Sequence, residues 1–190
     1  VGTDPTYCGV NELYERYFSS NPTGQTACYN ASSSVECSTI GAKPAVCGNN
    51  PALDFCGQDA QYAVSNSGRF TITTVASENL VTDNKTGLIW QQTTVSGKTW
   101  QQALDYCNNL VYGGQSDFRL PTYHELRSIV DYSIINPAID TTAFPTTPSN
   151  GFWSSSSYAS SADNAWIVGF NYGSVGYDGK DYFGYVRCVR

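Results

Sequence analysis

Histidine is nearly missing from this sequence: His124 is the single copy among 190 residues. Zinc sites draw on His and Cys at close spacing, yet no two cysteines here form a C-x-x-C pair. Metal-ligand economy fails, so the cysteines need another use. Charge is scarce as well, at 14% of residues, where about a quarter is usual. Lys and Arg number 10 against 16 acids, they form no cluster, and the formal net charge is -6. Such a chain repels phosphate backbones, which argues against nucleic acid as a partner. Heparin-like polyanions are disfavoured on the same ground, unless the few cations converge in space. No long apolar run occurs, so no membrane span is expected. A charged-then-apolar leader is missing too, and the start at Val1 reads as a mature or trimmed end with its export signal removed. Catalytic signatures are equally scarce. There is no Gly-x-Ser-x-Gly elbow and no phosphate loop, and a Cys–His pair would need a reduced cysteine. His124, at a helix start, stands where a solvated histidine is ordinary. No enzymatic role is expected.

What is present is cysteine, tyrosine and enough apolar residues for a core. The 7 Cys are many for this length, and 41% of residues are hydrophobic. An oxidising compartment with disulfides follows from the cysteine count. An odd number leaves one thiol free, bound to another chain, or bound to a segment outside this sequence. The 14 Tyr, with abundant Asn, Ser and Thr, give the texture of extracellular and adhesive proteins. The length suits one domain, or one domain with a small appendage. Five cysteines, Cys8, Cys28, Cys37, Cys47 and Cys56, crowd residues 1–68. That segment is rich in Gly, Asn, Pro and Ser and cannot build a core alone, so staples have to hold it. Their pairing stays open, with local links such as Cys28 to Cys37 preferred. One short helix is expected at 11–18, capped by Asn11, with Leu13, Tyr14, Tyr17 and Phe18 on one stripe.

Residues 69–190 change in texture. Phe70-Thr-Ile-Thr-Thr-Val75 alternates like a half-buried strand. Leu80-Val-Thr and Leu88-Ile-Trp90 flank a Gly-ended turn, Asp83-Asn-Lys-Thr-Gly87, and read as a hairpin. Thr99 with Gln102, and Thr122 with Glu125, are capping boxes that open two helices. The first carries Trp100, Ala103, Leu104, Cys107, Leu110 and Val111 on one face and ends at Gly113-Gly114. The second buries Leu126, Ile129 and Val130. Ala165-Trp-Ile-Val-Gly-Phe170 reads as a strand, followed by a turn at Asn171-Tyr-Gly-Ser. Val175 and Tyr177 continue into a turn at Asp178-Gly-Lys, and 182–189 is the closing strand. Helices followed by terminal antiparallel strands indicate an α+β domain. Cys107 falls on the buried helix face and Cys188 in the closing strand. A bond between them would close a loop of roughly 80 residues, worth on the order of 4 kcal/mol.

Six motifs in order carry a family resemblance. They are Val81-Thr-Asp-Asn-Lys-Thr-Gly-Leu-Ile-Trp90, Thr99-Trp-Gln-Gln-Ala-Leu-Asp-Tyr-Cys107, Phe118-Arg-Leu-Pro-Thr122 with Glu125-Leu126, Phe152-Trp-Ser-Ser155, Ala165-Trp166 and Tyr185-Val-Arg-Cys-Val-Arg190. Together they resemble the Lcl C-terminal domain family of bacteria, over about residues 69–190. Two upstream runs, Pro22-Thr-Gly-Gln-Thr-Ala-Cys28-Tyr29 and Gly57-Gln-Asp-Ala-Gln-Tyr62, also resemble segments that precede this domain. The Cys47 region looks like an insertion between those two runs. The resemblance implies a C-type-lectin-like fold, two helices on a twisted antiparallel sheet, behind a loop-rich, disulfide-stapled segment. It implies an extracellular or bacterial cell-surface place more than an activity. Some members are adhesins for sulfated glycans, from which this acidic chain departs. The related formylglycine-generating-enzyme-like fold uses reactive cysteines, but no matching pair stands here.

The function expected is a recognition module that binds a glycan or protein through loops between about Asn150 and Asp181. The other reading is a structural subunit, in which the cysteine-rich segment locks copies of the chain into a filament or oligomer. Tyr158, Tyr172 and Tyr177 are the aromatic surface candidates, with Asp163 and Asp178 as polar neighbours. Trp90, Trp100, Trp153 and Trp166 are assigned to the core. No cofactor is expected. Calcium would need six or more oxygens, and the lectin tripeptides that gather them are absent, so Asp140, Asp163, Asp178 and Asp181 read first as loop-solvating acids. Arg119 and Arg187 read as semi-buried arginines paired with acids such as Asp83 or Glu125.

Overall fold

The computed structural model describes residues 67–190, together with Cys28–Tyr29 and Ser34–Val35. The chain divides into two units, Val1–Asn66 and Ser67–Arg190. In the first unit, β1 (Cys28–Tyr29) pairs antiparallel with β2 (Ser34–Val35). Cys28 is buried and disulfide-bonded. The helix expected at 11–18, and Cys8, Cys37, Cys47 and Cys56, lie outside the described residues.

The second unit is α+β and opens with a three-stranded meander. β3 (Phe70–Val75), β4 (Glu78–Asp83) and β5 (Ile89–Gln91) pair antiparallel in that order. A two-residue turn joins the first two, with Ala76 and Ser77 at φ 50 and 69. Positive φ at both positions matches the twist of the flanking strands. The half-burial expected of β3 is not found: Phe70 alone of its side chains packs on the core, and the rest of this edge strand is exposed. The β4–β5 turn holds a buried ion pair. Arg69 Nε and Nη2 fork onto the Asp83 carboxylate at 3.2 and 2.8 Å, and Nη2 also donates to the Ser128 carbonyl at 2.8 Å. Burial alone would raise the Asp83 carboxyl, but Arg69 outweighs it and the net shift is downward. The carboxylate is therefore spent on Arg69, not on Arg119 or Arg187.

The central sheet runs β6 (Val95–Lys98), β10 (Gly184–Val186), β7 (Gly151–Ser157), β8 (Asn164–Gly169), β9 (Ser174–Gly179). All its pairs are antiparallel except β10 with β7, which is parallel. The expected antiparallel sheet is thus mixed. The reason is that the closing strand inserts between β6 and β7 and does not extend an edge. It is also shorter than expected; after Val186 the chain peels away to bridge Trp90 and Arg119 through Val189. Asp178 and Gly179, expected in a turn, end β9.

Each face of this sheet carries one helix. Along a strand, side chains alternate between faces. Trp153, Ala165, Val186 and Cys188 face α1 (Trp100–Asn108), where they pack with Ala103, Cys107, Phe118 and Leu120. Phe152, Val168 and Val189 face the other way, toward Leu126 of α2 (Tyr123–Ser128) and Ile129 and Val130 just after it. Both capping boxes form: Thr99 with Gln102 and Thr122 with Glu125. α1 stops at Asn108, short of the expected Gly113. The Asn109 amide side chain donates to the Asp105 carbonyl at 2.7 Å and closes the helix there. Val111, expected in the buried stripe, is therefore left exposed.

Cys107 and Cys188 are bonded, with Cα atoms 5.5 Å apart across 81 residues. The opposite face holds the fully buried Arg187. Its Nη2 donates to the Gln92 carbonyl at 3.2 Å and Thr147 Oγ1 at 2.8 Å. The guanidinium lies 4.5 Å from the Phe144 ring centre, while Nε and Nη1 have no hydrogen-bond partner. No acid pairs with it among the described residues, contrary to the expectation from sequence. Burial pulls its pKa down to about 9, so it stays charged at neutral pH. Arg119, by contrast, is paired as expected: Nη1 and Nη2 reach Glu125 at 2.8 and 2.6 Å.

Candidate functional site

The β8–β9 hairpin positions the candidate site. Its register sets Val168 opposite Val175 and Trp166 opposite Tyr177. Both pairs lie on the α2 face. Val168 is buried in the core and Val175 packs half-buried against it, whereas the aromatic pair lies one step further along and emerges at the surface. Tyr123, the first residue of α2, stacks on Trp166 at 5.5 Å between ring centres. A hydrogen bond from its backbone N–H to Ser156 Oγ at 3.2 Å seats that helix end on β7.

Tyr158 completes the group from the turn after β7. Its N–H donates to the Asn164 carbonyl at 3.0 Å, which folds 158–164 into a tight return. The ring lies flat on Tyr177, with centroids 4.1 Å apart and planes 9° apart. Both tyrosines meet Trp166 edge-on, at 5.1 and 6.3 Å. Tyr123, Trp166, Tyr158 and Tyr177 thus form one continuous aromatic ledge. Tyr177 is 52% exposed, and Trp166 and Tyr158 are half-buried. Each ring holds its neighbour, so little side-chain entropy is left to lose when a partner lands. His124 is exposed, and its ring lies tilted against Tyr123 with centres 3.9 Å apart.

Of the residues expected at the site, the structure brings Tyr158 and Tyr177 together. Asp163 stands exposed in the 158–164 turn beside them, its carbonyl accepting from Lys180 N–H at 2.8 Å. Asp178 does not join: it follows Tyr177 in the strand, so its side chain leaves from the opposite face. There its carboxylate accepts from the next backbone N–H, Gly179, at 2.9 Å. Tyr172, 61% exposed, sits at the β8–β9 turn, the other end of the hairpin. Trp166 and Trp100 were assigned to the core, yet both are half-buried, while Trp90 and Trp153 are fully buried. Trp100 lies under Lys180, whose ammonium sits 4.4 Å from the ring and donates to the Ala162 carbonyl at 2.6 Å. Tyr123 and Trp166 were the ledge residues missed. Folding the sequence back about 171–173 would have set Trp166 against Tyr177. Tyr182 and Phe183, 62% and 73% exposed, form a separate aromatic tip on the β9–β10 loop.

No helix among the described residues is long and apolar enough to cross a membrane. No group of three or more His, Cys, Asp or Glu side chains stands close enough to hold a metal ion there. The family model for the Lcl C-terminal domain matches residues 79–190, more than half of the chain. No curated protein matches it.

Proposed function

Starting from the fact that this chain belongs to the Lcl C-terminal domain family, we propose that it is a secreted or cell-surface recognition module of C-type-lectin-like fold. It binds a glycan through the aromatic ledge and has no catalytic role. The observation that carries this reading is the ledge itself: four rings locked together with Tyr177 left 52% exposed. An exposed aromatic ring suits the apolar face of a sugar ring, and phenol and indole edges offer hydrogen bonds at its rim. The acidic net charge of -6 argues for neutral over sulfated sugars.

A glycan array read with the isolated protein tests the proposal. Tyr177→Ala and Trp166→Ala should weaken any hit by about tenfold or more, the scale of a buried aromatic contact. Tyr172→Ala, at the far end of the hairpin, should change it little. Silence across neutral, acidic and sulfated sugars would overturn the glycan reading. The odd count of 7 Cys supports a second reading, a subunit cross-linked through its cysteine-rich segment. A ladder on a non-reducing gel would favour it, and a clean monomer band would count against it.

A further inference from the structure

We propose that β3 is a self-association edge, pairing antiparallel with β3 of a second copy about Ile72. The argument starts from what edge strands normally carry. Exposed edges are blunted by charge, proline or a bulge, because their free N–H and C=O groups recruit other strands. β3 has none of these: Phe70-Thr-Ile-Thr-Thr-Val75 contains no charged residue and no proline. Its register with β4 runs unbroken from Phe70↔Asp83 to Val75↔Glu78. The outer side has no neighbour among the described strands.

The hairpin geometry says which groups face outward. A two-residue turn is closed by a hydrogen-bonded pair, here Val75 with Glu78. Alternation then turns the backbone groups of Thr73 and Thr71 toward β4. The Arg69 carbonyl, next in that series, accepts from Asn84 N–H at 2.8 Å, as the pattern requires. Phe70, Ile72 and Thr74 therefore present their N–H and C=O groups to the open side.

Those three residues are spaced to meet themselves. In an antiparallel pair centred on Ile72, Ile72 faces Ile72 of the copy and Phe70 faces Thr74. Thr71 then faces Thr73. Every outward backbone group finds an outward partner, and every cross-strand side-chain pair is uncharged and β-branched or aromatic, the combinations that stabilise neighbouring strands. No like charges oppose one another. Ile72, 42% exposed in the monomer, becomes covered at the twofold axis. The result joins two three-stranded sheets edge to edge. A strand pair of this length buries less than the roughly 1,000 Å² of a stable interface, so association is weak and depends on concentration. It involves no cysteine and is independent of any covalent ladder.

Sedimentation velocity on the full oxidised chain tests this. The weight-average mass should rise from 20.7 kDa toward twice that value with concentration. Ile72→Lys sets like charges against each other at the axis and should weaken association by about tenfold or more. Mixing the Ile72→Lys and Ile72→Glu proteins should restore it, which a folding defect would not do. A mass that stays monomeric up to about 1 mM, dimers that survive Ile72→Lys, or no recovery on mixing would each overturn the proposal.

Discussion

The two faces of the central sheet are built by different means. On the α1 face, nine helical residues lie over a cluster that includes Cys107–Cys188, so a covalent bond ties the helix to the chain's closing segment. On the α2 face, a helix of six residues has no such bond. It is fixed by a capping box, the Arg119–Glu125 fork, the Arg69 hydrogen bond to the Ser128 carbonyl, and aromatic packing around a buried guanidinium. A short helix contributes little stability of its own, so it has to be held by its surroundings. The aromatic ledge grows from this second, uncrosslinked face, where Tyr123 begins α2.

That contrast can be broken from its strongest side first. Replacing both Cys107 and Cys188 by Ala should lower unfolding free energy by about 4.5 kcal/mol from loop entropy, read from the denaturant midpoint. A loss under about 1 kcal/mol would mean the α1 face holds without its bond. Leu126→Ala should cost about 3 kcal/mol by cavity formation. It should also disturb the ledge, seen as altered tyrosine and tryptophan fluorescence, while Cys107–Cys188 stays intact. An unchanged ledge signal would separate α2 from the site.

Acid titration sharpens the same comparison more gently. The Arg119 hydrogen bonds hold the Glu125 carboxyl near a pKa of about 2, below its ordinary 4.5. The folded state favours the ionised form, so its stability is in place above pH 4.5 and is lost as pH falls toward 2. Arg119 is 45% exposed, and solvent screening keeps the effect to about 1 kcal/mol. Arg119→Gln should remove this part of the acid sensitivity; an identical pH profile would show the fork to be idle. A change of similarly small size is expected from Arg187→Met. It exchanges a buried charge lacking a carboxylate for an apolar side chain of similar length, so stability should move by less than about 1.5 kcal/mol. A loss of 3 kcal/mol or more, the scale of breaking a buried pair, would show that the guanidinium's contacts with Gln92, Thr147 and the rings organise this face.

The features legible in the sequence are those written in near neighbours. Thr99 with Gln102 and Thr122 with Glu125 are three residues apart, and each box closes within one helical turn. The bond of Cys107 to Cys188 was legible because one cysteine fell on a helix stripe and the other in the closing strand. What escaped depends on partners distant in sequence. Nothing near Tyr185 says that it will lie parallel to Phe152. Nothing near Asp83 names Arg69 as its partner over Arg119. Trp166 has the composition of a core residue, and only the register opposite Tyr177 carries it past the end of α2 to the surface. Asp178 was grouped with Tyr177 by adjacency, which in a strand means opposite faces.

The position of β10 has a consequence for how the molecule is made. β10 lies between β6 and β7, so an interior position of the sheet is filled by the strand that comes latest of the five in the sequence. A chain growing from its N-terminus can form the β3–β4–β5 meander and the β7–β8–β9 hairpins early. It cannot join β6 to β7 until the residues through Val186 are available to form β10. Completing this sheet therefore rests on pairing between segments distant in sequence, which is slow.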